Sequence, residues 1–385
     1  MLSRALRAEL KRLLPTDTTP YALAFSGGGD SLAMLKALAS DRRLKGVLHV
    51  DHGLREESGK DAVLATILGE QQGRKVTVLR WEPGEVETGL QERARRARYG
   101  LMGEWCRARG IRHLVTAHHA DDQAETVLMR VERGSGWRGA AGMAALSYGP
   151  VWPELAAVSL VRPALGLSRD ELRGELGELK PIRDPSNADE TYARVRARQR
   201  LASDTALRAD MLDLAANMAR GRAEARARLA LALDGIHMTH EGQVSLPWPC
   251  TPDTVQAILP AVGGHAGPAE RVRTRQRLDA LKPGKAAALG CGVVGVAGDG
   301  VLRLGRDPVA MTGRKDGTLS PTALRAPITP EPRVWDGRFL LWGKGGLINP
   351  ERRGNHVGFR ILYRRDVTVE NLVQARIDAL TAVQP

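Results

Sequence analysis

Two short stretches carry residue types at a spacing suited to phosphate and carboxylate chemistry. The first is Ser26-Gly27-Gly28-Gly29-Asp30-Ser31. An apolar run over residues 21–25 precedes it, and Leu32, Leu35 and Leu38 follow on one helical face. A strand, a glycine turn and a helix in that order point backbone N–H groups at a phosphate. The glycines remove side chains that would block close approach, and the helix N-terminus adds partial positive charge. Ser26 and Ser31 bring hydroxyl donors, and Asp30 brings the hard oxygen that Mg²⁺ prefers. A plain tight turn with Asp30 or Ser31 as helix cap would use the same residues. The stretch has neither the lysine of a Walker A loop nor the glycine spacing of a dinucleotide fingerprint.

The second stretch is His118-His119-Ala120-Asp121-Asp122-Gln123-Ala124-Glu125-Thr126. On a helix, His118, Asp122 and Glu125 fall at i, i+4 and i+7 and share one face. Two carboxylates and a histidine beside a phosphate loop can bind Mg²⁺, orient a nucleophile or take its proton. A solvated helix start, where Asp and Glu are favoured by the dipole, is the competing explanation. A third stretch, residues 133–143, is dense in glycine and carries Arg133, Trp137 and Arg138. It reads as a lid or a linker, with the arginines suited to nucleic-acid contact.

These stretches need a frame that brings them together. Residues 21–25, 46–50, 75–81 and 113–117 read as strands, separated by helical patterns. The rhythm implies an α/β fold, a mostly parallel, doubly wound sheet covered on both faces. Ligands in such sheets sit beyond the C-terminal strand ends. The glycine loop, the turn Asp51-His52-Gly53-Leu54-Arg55 and the 118–125 cluster all fall there. Residues 1–14 read as a helix ended by Pro15. Residues 91–109 form a strongly basic helix carrying Arg95, Arg98 and Tyr99.

The expected organisation is a catalytic domain over residues 1–202 and a linking amphipathic helix over 203–235, capped by Ser203. A small α+β RNA-binding domain follows over 236–310, and a β-rich domain over 333–385 ends in a helix at 369–383. Residues 311–332, rich in Pro, Thr and Gly, read as a linker. In the long helix, Leu207, Met211, Leu214 and Met218 form the stripe to be buried. Arg220, Arg222, Arg226 and Arg228 project elsewhere.

The chain has 385 residues and a formal net charge of +13. That balance favours a polyanionic partner such as nucleic acid. Cys106, Cys250 and Cys291 lie far apart, with no zinc spacing and no disulfide framework. No apolar run approaches a membrane span, and the N-terminus does not read as a signal peptide. A soluble cytoplasmic protein with no membrane partner is expected.

Taken as an ordered set, the motifs resemble a known family. The glycine loop matches the S-G-G-x-D-S signature of the PP-loop, or N-type, ATP pyrophosphatases. The series continues with His49-Val50-Asp51-His52-Gly53-Leu54-Arg55, then Glu92 with Ala94-Arg95-Arg96-Ala97-Arg98-Tyr99. Thr116–Thr126, Arg133-Gly134-Ser135-Gly136, Arg162-Pro163-Ala164-Leu165 and Asp184-Pro185-Ser186-Asn187 complete it. This series, over residues ~20–201, resembles the tRNA(Ile)-lysidine synthases. One position departs: the usual Arg-Asn-x-x-Arg reads Arg194-Val195-Arg196-Ala197-Arg198.

The resemblance implies a reaction. ATP adenylates the C2 oxygen of the wobble cytidine in a tRNA(Ile) with a CAU anticodon, the ε-amine of free L-lysine attacks C2, and AMP and pyrophosphate are released. It implies ATP and Mg²⁺ as cofactors, with Ser26, Gly27, Gly28, Gly29, Asp30, Ser31 and Asp51 on the nucleotide and Asp30 on the metal. His118, Asp122 and Glu125 would hold the amine or accept its proton. Arg95 and Arg98 would neutralise phosphate charge. Arg133, Arg138, Arg194 and Arg198 would contact tRNA. A related tRNA thiolase needs paired cysteines or an iron–sulfur cluster, which the cysteine spacing does not offer. A non-catalytic ATP- or RNA-binding module would have no use for the carboxylates and histidine.

Overall fold

The first element, α1 (Leu2–Leu13), buries Leu2, Leu6, Leu10 and Leu13, the 4-4-3 spacing of one helical stripe. The computed structural model describes residues 2–53, 58–81, 90–151, 154–155, 157–182, 193–234, 236–239, 243–263, 269–307, 333–336, 339–342, 346–353, 356–361, 373–374, 376–378 and 380. After α1 come β1 (Tyr21–Ala24), α2 (Gly29–Leu38), β2 (Leu44–Asp51), α3 (Ser58–Gln71), β3 (Val76–Arg80), α4 (Leu90–Arg107), β4 (His113–Val115) and α5 (Ala120–Glu132). They are followed by α6 (Trp137–Ala140), β5 (Leu146–Tyr148), β6 (Ser159–Val161), α7 (Arg169–Arg173), α8 (Ala193–Ser203) and α9 (Thr205–Ala232).

These strands form one sheet in the order β3-β2-β1-β4-β6-β5, parallel except for the edge strand β5. Side chains alternate across it, as a strand requires. Tyr21 and Leu23 join Val47 and Val115 in a core with the leucines of α1 and α2. Ala22 joins Leu48, Leu114 and Leu160 in a second core with Tyr99, Met102 and Cys106 of α4. Both faces are therefore covered, as the sequence rhythm implies. Truncating a fully buried residue such as Leu35 would cost about 2–5 kcal/mol. The short strands β5 and β6 were not anticipated.

The long helix expected over 203–235 is the single helix α9, starting at Thr205, and Ser203 ends the preceding helix α8. Asp204 breaks the run and caps α9 by accepting from the Leu207 N–H at 2.8 Å. The Ser203 hydroxyl instead donates back to the Arg200 carbonyl at 2.9 Å, so Ser203 is not the cap. Nor do all the α9 arginines project away. Arg222 donates to the Gly142 carbonyl at 2.9 Å, and Arg226 lies 5.6 Å over the Tyr148 ring.

Beyond α9 lie β7 (His237–Met238), β8 (Val244–Pro247), α10 (Pro252–Gly263), α11 (Arg271–Asp279), β9 (Ala286–Gly290), β10 (Val293–Gly298) and β11 (Val301–Arg306). The strands form an antiparallel sheet in the order β7-β8-β11-β10-β9. Its core holds Val255, Ile258 and Leu259 of α10 against Leu246, Leu302 and Leu304, joined by Val373 and Ile377. A last meander, β12 (Arg333–Asp336), β13 (Phe339–Trp342), β14 (Gly346–Arg353) and β15 (His356–Ile361), pairs in chain order. The stretch 311–332 and Asp184–Asn187 lie outside the described residues. No helix among the described residues is long and apolar enough to cross a membrane.

Candidate active site

Strand order places the chemistry. From β1 the chain runs to β2 and β3 on one side, while β4 pairs with β1 on the other. The gap beyond the C-terminal ends of β1 and β4 is a topological switch point, where open α/β sheets form a crevice. The glycine loop leaves β1 there, and the His118–Glu125 segment leaves β4.

The loop is held by its own polar atoms. Ser31 donates to the Gly28 carbonyl at 2.9 Å, the Ser26 and Ser31 hydroxyls lie 3.1 Å apart, and Gly28 N–H donates to Ser26 Oγ at 3.3 Å. Gly28 caps α2 with no side-chain bond, so the helix N-terminus stays open to an anion. Gly27 sits at φ +79°, a left-handed backbone, with Ile182 packed where a Cβ would stand. At β2, His49 Nδ1 lies 3.1 Å from the Phe25 carbonyl and ties the two strand ends together. Asp51 accepts from the Gly53 N–H at 3.0 Å.

At the end of β4 the helical-face arithmetic needs correcting. Helix α5 begins at Ala120, so His118 precedes it and does not continue the Asp122–Glu125 face. His118 Nδ1 is 2.8 Å from Thr116 Oγ1. Burial, with the charges of Arg162, Arg194 and Arg95, holds the His118 pKa well below the ordinary imidazole value. His118 is therefore neutral at physiological pH and suited to hydrogen bonding rather than to carrying a proton.

The residue at the centre is His119, which the motif contains but to which the sequence assigns no role. Its side chain is 1% exposed. Nε2 lies 3.4 Å from Asp122 Oδ2 and 3.7 Å from Asp30 Oδ2, and Nδ1 lies 3.5 Å from Asp121 Oδ2. The ring thus joins the glycine loop to α5. Asp122 also accepts from the His119 N–H at 3.1 Å, which caps α5.

Each of the four carboxylates also meets an arginine. Arg173 grips Asp30 at 2.6 and 3.1 Å. Arg208 meets Asp121 at 2.9 Å. Arg194 bridges Asp122 at 2.6 Å and Glu125 at 2.7 Å, and Arg198 adds a bond to Glu125 at 2.8 Å. Burial alone would raise the Glu125 pKa; the hydrogen bonds and charges of Arg198 and Arg194 outweigh it and keep the carboxyl below its usual range. Asp30 follows the same balance. Burial acts against its charge, and His119 and Arg173 pull its pKa far below the carboxylate range.

The other candidates sit around this core. Arg95 is exposed, 5.0 Å over the Tyr99 ring, and Arg98 is exposed one turn on. Arg133 is exposed, and Arg138 lies 5.3 Å over the Trp137 ring and 3.9 Å from Asp253. Arg194 and Arg198 turn towards Asp122 and Glu125. Val195, the position that departs from the family pattern, is buried. The glycine-dense stretch is fastened: Gln123 clamps both backbone groups of Met143 at 2.7 and 3.0 Å, and Arg130 donates to the Gly139 and Gly142 carbonyls.

This arrangement defines the class. Residues 2–205 match the family model described as the PP-loop domain. The chain is 35% identical to the tRNA(Ile)-lysidine synthase of Ruegeria pomeroyi, over 83% of this chain and 76% of that protein. It is 38% identical to the tRNA(Ile)-lysidine synthase of Novosphingobium aromaticivorans, over 80% of this chain and 95% of that one. A solved structure, the U34-tRNA thiolase NcsA from Methanococcus maripaludis with its [4Fe-4S] cluster, aligns at 18% identity with a TM-score of 0.45, over 57% of this chain and 77% of that chain. The chain belongs to the tRNA(Ile)-lysidine synthase family.

Proposed function

We propose that this protein joins free L-lysine to C2 of the wobble cytidine of tRNA(Ile) with a CAU anticodon, converting ATP to AMP and pyrophosphate in the cytoplasm. One observation carries the reading: the glycine loop with Asp30 and the carboxylate pair Asp122 and Glu125 meet at one switch point, joined through His119. Adenylation makes the C2 oxygen a good leaving group, and the lysine amine must then be deprotonated to attack.

The residues fit these tasks. The open N-terminus of α2 and the Gly27–Gly29 backbone suit the ATP phosphates, with Asp51 at the neighbouring strand end. Arg198 and Arg194 keep Glu125 ionised, as a cationic amine requires of its partner, and Asp122 presents a second carboxylate to the same Arg194. In this structure guanidinium groups are the cationic partners, so a lysine ammonium would replace like with like. His118, held neutral, can accept a hydrogen bond from the amine and help to orient it, while the carboxylates are the candidates to take the proton. Arg95 and Arg98 offset phosphate charge as it shifts. Among the described residues no three His, Cys, Asp or Glu side chains gather as a metal cage. The donor set still fits Mg²⁺, which binds through one or two carboxylates and substrate phosphates. Asp30 would hold it, and when bound it would supply charge neutralisation at the phosphates.

The test is mass spectrometry of nucleosides from a CAU-anticodon tRNA incubated with protein, ATP and lysine. Lysidine should form only with all components present. Pyrophosphate release without a lysine adduct would overturn the reading, as would release that needs a sulfur donor. A protein that binds tRNA and ATP but releases no pyrophosphate would be a binding module.

A further inference from the structure

On the far side of β4 from the glycine loop, cations gather without carboxylates. Arg162 follows β6 and is almost fully buried. Its Nη1 donates to the Ala144 carbonyl at 2.7 Å and to Ser147 Oγ at 3.0 Å, while its Nε has no partner. Arg130 of α5 and Arg222 of α9 converge on one acceptor, the Gly142 carbonyl, at 3.0 and 2.9 Å. Among the described residues none of these three arginines forms an ion pair. Burial lowers the Arg162 pKa to about 10, with Arg95, Arg222 and Arg130 pushing the same way. The geometry rests on the shared acceptor: Arg130 and Arg222 meet at Gly142, and Arg162 holds the neighbouring Ala144 carbonyl of the same loop.

Carbonyl oxygens satisfy some of these N–H groups but none of the charge. Buried cations are ordinarily matched by an anion. The neighbouring wall opens outward: Ser147, Tyr148, Trp137 and Arg222 line a groove of about 790 Å³. An aromatic- and arginine-lined groove suits single-stranded RNA, whose bases stack on rings while its phosphates take the arginines.

We propose that Arg130, Arg162 and Arg222 form an anion pocket around residues 142–147 that takes a phosphodiester of the bound RNA. This rests on the reading of the protein as an RNA-modifying enzyme. The source of the phosphate follows from topology. β6 lies two strand positions from β1, about 10 Å across the sheet. The pocket thus flanks His118 on the side away from the glycine loop, which has its own helix N-terminus for the ATP phosphates. Holding the backbone there would keep an unstacked nucleotide next to the reacting groups.

The experiment uses the full-length protein with Arg222→Gln and, separately, Arg130→Gln. Glutamine keeps an N–H donor for the Gly142 carbonyl while removing the charge, and thermal melting checks that the fold survives. Binding of a CAU-anticodon stem-loop RNA is followed by fluorescence anisotropy across a salt series. Binding of ATP and of pyrophosphate is followed by calorimetry. Each variant should flatten the RNA salt slope by roughly 0.7–0.9 and leave ATP and pyrophosphate affinity unchanged. An unchanged RNA slope in both variants would show that the arginines only fasten the 139–144 loop, and would overturn the pocket. Weakened pyrophosphate binding with an unchanged RNA slope would assign the pocket to the nucleotide and overturn the RNA assignment. Wild-type protein assayed for lysidine in parallel separates failure of this site from failure of the functional reading.

Discussion

The two sides of the crevice hold charge in opposite ways. On the β1–β4 side, Asp30, Asp121, Asp122 and Glu125 each meet a guanidinium within 2.9 Å. On the β6–α9 side, Arg130, Arg162 and Arg222 meet only carbonyls and a hydroxyl. The first side is balanced as it stands, and a cationic ligand can enter by exchanging with an arginine. The second carries a charge deficit that only an anion removes. A cation and a polyanion are held by different kinds of surface, and His118, just beyond β4, lies between the two.

The largest expected effect tests the balanced side at the glycine loop. Asp30→Ala should abolish pyrophosphate release and weaken Mg-ATP binding, with an unchanged circular-dichroism spectrum. Normal turnover would make the loop a structural turn. Next in size are Asp122→Asn and Glu125→Gln. An amide can neither accept a proton nor balance an ammonium, so lysidine formation should drop by about 10²-fold or more. The lysine concentration for half-maximal rate should rise, and tRNA affinity should stay near wild type. Glu125→Gln should also lower stability, because Arg198 loses its carboxylate and Arg194 keeps only Asp122. Removing one member of a fully buried pair costs about 3–5 kcal/mol. Arg194 and Arg198 are 42% and 32% exposed, so solvent screening reduces this to roughly 1–2 kcal/mol. Equal loss of tRNA affinity in the carboxylate variants would erase the distinction between the two sides.

The border residue gives a pH test. The folded pKa of His118 lies below its unfolded value of about 6.5. As pH falls through 6.5 the unfolded chain binds a proton that the folded chain refuses, so stability is full above that pH and declines below it. At pH 5.5 the single group accounts for up to about 1.4 kcal/mol. His118→Gln should therefore lose less melting temperature than wild type between pH 7.5 and 5.5. Parallel losses would place the titration elsewhere, for instance at the buried His49 and His113.

How much of this could be read from the chain follows the same division. The glycine loop, Asp51 and the Asp122–Glu125 spacing are local patterns, and strand–turn–helix periodicity locates them. The partners of the carboxylates are not local. Arg173 reaches Asp30 across 143 residues and Arg208 reaches Asp121 across 87, and no periodicity encodes such pairs. His119 stayed unassigned because only the β1–β4 neighbourhood makes it a meeting point. The strand β6 is three residues long and gives no alternation to detect. The Arg162 cluster was hidden with it. The break at Asp204 was legible in principle, since Asp is as good a cap as Ser.

A smaller effect sharpens the roles of the α8 arginines. The sequence expects Arg194 and Arg198 to touch RNA, whereas the structure engages both with carboxylates. If Arg198 stays with Glu125 when RNA binds, Arg198→Gln should leave the RNA salt slope within error of wild type while Arg222→Gln flattens it. If Arg198 is released to a phosphate, its slope should flatten by about 0.7–0.9 as well. That result would mean that ligand entry hands an arginine from the balanced side to the RNA.

The smallest effect concerns Arg173, which lies over Gly29 and binds Asp30 with two nitrogens. Its guanidinium engages both Asp30 oxygens, so a divalent cation at Asp30 would compete with it for one carboxylate. The pair is partly exposed, with side chains 42% and 30% accessible, so its worth is that of a surface ion pair, about 0.2–1 kcal/mol. Arg173→Ala should therefore improve the apparent Mg²⁺ affinity in the presence of ATP by about 1.4- to 5-fold, measured by titrating Mg²⁺ against ATP binding in a calorimeter. ATP binding without Mg²⁺ should change little, because the loop N–H groups remain in place. A loss of ATP affinity in both conditions would show that Arg173 leaves Asp30 for the phosphates. The balanced side would then exchange its arginine for two ligands at once, a cation on the carboxylate and an anion on the freed guanidinium.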